Sequence, residues 1–199
     1  WGMARANSGN EKRAQGFIAE AVKRKGSASP REVKHVDALS KYLNTPKEKK
    51  VERAEAYAKA LEEILYEFPD DLETRALLAL QFWVNSRNGV KIQSHEAVDA
   101  LIQGVFKVNP MHPAHHYRIH LWDYKRAARA VDSAAVCGQT APGIAHMWHM
   151  SGHVYSKLKR YHDATRSQEA SARLDHAYMR KDRVMPDQIH NYAHNNEWL

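Results

Sequence analysis

Helix-forming runs broken by short turn signals, with no useful stretch of period-two alternation, confine this chain to an all-α fold. The long runs 47–68 and 143–182 are rich in Ala, Leu, Glu, Lys and Arg, the residues that cost least in a helix. The seven prolines stand between such runs rather than inside them, and the glycines number only nine. Punctuation then sets the expected helices. One spans 11–24 and closes at Gly26. A second opens at Ser29-Pro30, with proline at its first position, and runs to Leu43. A third covers 48–68 after Thr45-Pro46, and Asp70-Asp71 caps a fourth that ends near Val84. Ser94 opens the next, which stops before Asn109-Pro110. The remainder are expected at 113–122, 124–136, 143–158, 160–182 and 187–198, parted by Gly138–Pro142, by the Lys159-Arg160 corner and by Met185-Pro186. Ten short helices in antiparallel succession favour a solenoid of hairpins over a closed bundle.

Internal repetition supports that choice. Residues 146–175 place Trp148, Gly152, Tyr155, Tyr161, Ala164 and Ser171 at the spacing of a tightly packed helical hairpin. Tyr124, Ala127 and Ala134 repeat the spacing of Tyr161, Ala164 and Ser171 at an offset of 37 residues. This pattern resembles the tetratricopeptide repeat, with Ser171 in place of the usual alanine and Lys159 where a turn glycine is common. The resemblance covers roughly 46–199, with 1–45 compatible but degenerate. It implies a single domain over 1–199, a right-handed solenoid of antiparallel helix hairpins. A narrower resemblance lies in HHYRIHLWD, HMWHMSGHVY and HNYAHNNEWL, which look like the C-terminal part of bacterial tetratricopeptide-repeat proteins with similar His-containing helices. Members often sit in larger chains, and a chain that begins with Trp1 is expected to be a processed product or a piece of a longer one.

Histidine carries the chemistry. Of thirteen histidines, eleven fall between 112 and 194. His116 and His120, His149 and His153, and His190 and His194 are each four residues apart, so each pair shares one helix face. The repeat register implies that His146, His149 and His153 line the groove, with His116 matching His153 and His120 matching Lys157. Neutral imidazole ligates zinc, copper, iron or nickel well, and added carboxylate shifts the choice toward iron or manganese. Asp123 and Glu197 are the acidic candidates. Tyr155, Asn191 and Asn195, with Tyr192, are candidates to orient the imidazoles. A hydrogen-bonded polar network without metal competes with this reading. His35, His95, His162 and His176 read as ordinary surface or hydrogen-bonded residues, and His112 and His115 as helix-start residues beside Pro113. Trp83, Trp122, Trp148 and Trp198 read as packing.

Three functions stay open on these residues. One is a binding module with a His-coordinated transition metal on its concave face. The second is a metal-dependent hydrolase or oxidase using the same cluster. The third is a plain protein-interaction scaffold that captures a protein or peptide in the groove. The formal charge of +7 argues little for nucleic acid: the basic clusters are mostly interleaved with Glu or Asp at helical spacing, and no Arg-rich tract exists. No glycine-rich phosphate loop points to a nucleotide cofactor. No run is long and apolar enough for a transmembrane helix. A single cysteine, Cys137, excludes an internal disulfide and a Cys-based zinc site; it is expected in a loop near Gly138, within reach of His146.

Overall fold

A computed structural model describes residues 2–6 and 9–198, excepting the side chains of Ala6, His190 and Asn191. No strand occurs among them. The chain divides at the loop before His95 into two compact units, Trp1–Ser94 and His95–Leu199, where the sequence reading places no boundary.

The first unit holds α1 (Gly2–Ala6), α2 (Glu11–Arg24), α3 (Pro30–Asn44), α4 (Lys50–Glu67) and α5 (Leu72–Arg87), each packed on the next. The starts of α3 and α5 are fixed as the turn signals foretell. Ser29 and Glu32 form a reciprocal capping box with Pro30 in the first turn, and the Asp71 carboxylate accepts from the Thr74 amide. Ile18, Leu39, Leu43, Tyr57, Leu61 and Ile64 fill the core. The Arg5 guanidinium of α1, an element not foreseen, donates to Gln81 and lies over the Tyr57 ring. His35 meets the Thr74 hydroxyl at 2.8 Å, the ordinary structural role expected of it.

The second unit holds α6 (His95–Val108), α7 (His115–Trp122), α8 (Val131–Thr140), α9 (Ala145–Lys157), α10 (Tyr161–Asp182) and α11 (His190–Glu197). Helix α9 is its hub, touching α7, α8, α10 and α11. A buried ion pair ties α6 to α7: Arg118 Nε donates to Asp99 Oδ1 at 2.7 Å, and Trp122 Nε1 donates to the same oxygen at 2.9 Å. His115 bonds Ser133 and the Pro110 carbonyl, and His112 Nδ1 accepts from the Ala114 amide, so both are helix-start residues as expected.

Two expectations need correction. The helix predicted at 124–136 is instead α8, seven residues later at its start and preceded by a 3-10 turn at Ala127–Ala130. Gly138 is not a separator: it lies inside α8 because the Trp148 ring rests against its backbone, where an added Cβ would fall 2.3 Å from the ring. Cys137 is therefore a buried helix residue rather than a loop thiol, and burial pushes its pKa up to about 12. The repeat's tyrosines also behave unexpectedly. Tyr124 and Tyr161 are 82% and 63% exposed, while Tyr155 is buried.

The corner between α9 and α10 explains the position where glycine is common. Lys159 has φ +57, and the Arg160 amide reaches back to the Tyr155 carbonyl at 2.9 Å, closing the helix through a left-handed residue. A side chain pays a steric cost there that glycine avoids. Lys159→Gly is expected to stabilise the protein by about 0.5–1 kcal/mol, read as a raised urea midpoint. A lowered midpoint would refute the account.

Candidate metal centre

Six imidazoles from three helices form one contiguous row in the second unit. Along α7 the His116 and His120 rings lie 4.6 Å apart between centroids, the consequence of their i,i+4 spacing. His146, in the first turn of α9, sits 4.9 Å from His116 and 5.7 Å from His149. One turn further along α9, His153 is 4.5 Å from His149, and His194 of α11 is 4.8 Å from His149. Two groups emerge with ligand-capable nitrogens all within 4.8 Å of one another: His116, His120 and His146, and His149, His153 and His194.

The second group is the better defined. His149 is 1% exposed, and its Nδ1 stands 2.8 Å from Gln168 Oε1 of α10. A carbonyl oxygen can only accept, so Nδ1 carries the proton and Nε2 is left with its lone pair. That Nε2 lies 2.7 Å from His153 Nε2, which must then be the donor. His153 Nδ1 is consequently a bare nitrogen, buried and without a hydrogen-bond partner. His116 Nε2 is likewise buried and unpartnered. Buried polar atoms without partners are rare enough to want a reason.

Burial pulls His116, His149 and His153 down to about 4, helped by the neighbouring imidazoles and, at His153, by Lys157. At His149 the Gln168 hydrogen bond opposes the shift without reversing it. All three rings are neutral at pH 7, the form in which imidazole binds a metal.

Gln168 and Trp198 take parts that the sequence reading did not assign. Gln168 fits because Gly152 has no side chain: a Cβ there would lie 2.3 Å from its amide nitrogen. The Trp198 ring stands 4.6 Å from His153 and 6.2 Å from His194, so it walls the group rather than filling a hairpin core. Of the expected helpers, Asp123 is buried with its carboxylate 2.7 Å from Lys157 Nζ. Tyr155 lies under the Arg160 guanidinium. Asn195 donates to Ser171 and Asp175, fastening α11 to α10. Glu197 Oε2 reaches His194 Nδ1 at 3.7 Å. Neither Asp123 nor Glu197 belongs to either group, both of which are all-histidine among the described residues. The side chains of His190 and Asn191 lie outside the described residues.

No family model and no curated protein matches the chain. Among solved structures, "MamA MSR-1 C2" matches with a TM-score of 0.53 and 17% identity, over 89% of this chain and 94% of that one. MamA is a protein containing tetratricopeptide repeats. At that identity the likeness speaks for the fold alone: an all-helical, tetratricopeptide-like arrangement.

Proposed function

We propose that the second unit is a transition-metal-binding module on a tetratricopeptide-like scaffold, with His149, His153 and His194 as ligands. The observation that carries this reading is the convergence of three imidazoles, from two helices, around nitrogens within 4.8 Å. In a tetrahedral zinc site with Zn–N of about 2.0–2.1 Å, ligand nitrogens sit about 3.3 Å apart. For the three nitrogens to share one ion, the 2.7 Å contact between His149 and His153 must open slightly and the wider pairs, within 4.8 Å, must close. An all-imidazole set suits zinc, copper, nickel or iron, and offers little to manganese.

The helical scaffold also supports a protein or peptide partner as a second role. A hydrolase or oxidase finds less support. Of Asp123, Glu197 and Tyr155, the candidate acid–base groups, Asp123 and Tyr155 are engaged with Lys157 and Arg160, which leaves Glu197, 3.7 Å from His194 Nδ1.

Chelator-stripped protein should bind Zn(II), Cu(II) or Ni(II) in calorimetry and gain thermal stability with each. Proton competition at His149 and His153, which burial holds down to about 4, should cost affinity only below about pH 5. Cu(II) should quench tryptophan emission, and Trp198→Phe should remove part of that quenching. Neither heat nor thermal shift with any of these ions would dismiss the proposal.

A further inference from the structure

We infer that the chain carries a second, separate metal site, formed by His116 and His120 of α7 with His146 of α9, and that a divalent zinc-, copper- or nickel-class ion fills it beside the first. The inference rests on the proposed function only for the class of ion, since the ligands are different residues.

Three observations carry it. The nitrogens of His116, His120 and His146 meet the same 4.8 Å limit as those of the other triad. His116 Nε2 is buried without a hydrogen-bond partner, so a ligand there would satisfy an otherwise orphaned atom. And the ligands come from separate places: α7 serves only this group, α11 only the other, and α9 serves both from successive turns. Residue His146 faces α7, whereas His149 and His153 gather His194, because three and seven residues on they share its helix face but stand about 4.5 and 10.5 Å further along the axis. The two sites are neighbours, with the His146 and His149 rings stacked 5.7 Å apart at 24°.

Two sites of this kind make distinct demands on experiment. Zn(II)-loaded protein should carry two ions by native mass spectrometry and elemental analysis. His116→Ala combined with His120→Ala should carry one, and His194→Ala should carry one. Protein loaded with two Cu(II) ions should show spin–spin coupling in its EPR spectrum, and either variant should return it to an isolated-copper spectrum. Should the double variant unfold by circular dichroism, His120→Ala alone, at a half-buried position near the end of α7, should still lower affinity for the second ion at least tenfold. One ion in the parent protein, retained by the α7 variants, would overturn the inference and leave the proposed function standing. One ion lost by both sets of variants would mean a single shared site, which also overturns it. Two ions unaffected by the α7 changes would place the second elsewhere. No ion at all would remove both readings.

Discussion

His149→Ala is expected to lower affinity at the buried triad by more than about 100-fold, beyond the 10–100-fold that follows loss of a ligand's orienting partner. His149 is the ring on which the arrangement turns: its Nδ1 is held by Gln168, its Nε2 faces His153, and the His146 and His194 rings flank it. Removing it deletes a proposed ligand and, among the described residues, the one ring that neighbours all of these at once. The substitution also leaves a cavity and strips the Gln168 carbonyl of its donor, a cost of about 1–3 kcal/mol. Circular dichroism should therefore accompany the titration. Gln168→Ala provides the graded comparison, since every imidazole remains and only the tautomer and orientation of His149 are released; the loss there should be about 10–100-fold. Undiminished affinity in His149→Ala, with the helices intact, would end the assignment of that triad.

The second large effect is on stability. Asp99→Ala should cost about 3–5 kcal/mol, because it strands a buried guanidinium in a site closed to water. Arg118 and Asp99 are 9% and 6% exposed at their side chains, and the Trp122 indole loses its acceptor at the same time. Arg129, half exposed and 3.9 Å from Asp99, also faces the lost carboxylate but keeps Glu96 and water, so the penalty falls on Arg118. Replacing both partners, with Asp99→Leu and Arg118→Met together, should recover much of the loss, since the penalty belongs to the unpaired charge rather than to the missing attraction. Urea melts of the parent protein and the two variants measure this directly. A single-variant loss below about 1 kcal/mol would show that water reaches the pair. Because the pair anchors α7, loosening it should also weaken ion binding by His116 and His120 more than by His149.

Much of the fold was legible because its signals are local. A capping serine with proline at the first helical position, or an aspartate before an apolar run, fixes a helix start within a few residues. The i,i+4 histidine pairs were legible for the same reason. Failures came where a distant residue decided. Gly138 looks like a breaker until Trp148 is seen lying on it, and the 124–136 segment starts its α-helix late for no reason printed in its own residues. Ser171 replaces the usual alanine because its hydroxyl donates to the Ala145 carbonyl and accepts from Asn195, two helices that only the folded unit brings together. The site shows the same limit. Its histidines could be named, but their partition into triads depends on which neighbour α9 meets at each turn. Gln168 could not be found at all, since its role rests on the room that Gly152 leaves sixteen positions earlier.

The short contact between the two ε-nitrogens of His149 and His153 has a chemical corollary. For both nitrogens to grip one cation, the hydrogen now lying between them has to be exchanged for one at the δ position of the His153 ring. The ring is uncharged before and after, one proton leaving the ε nitrogen and another being taken up from water at the δ nitrogen. Capture of an ion by the proposed triad would thereby be a proton exchange as well as a coordination event, and nitrogen-15 correlation spectra of the histidine side chains would record it as an exchange of the ε and δ resonances of a single residue.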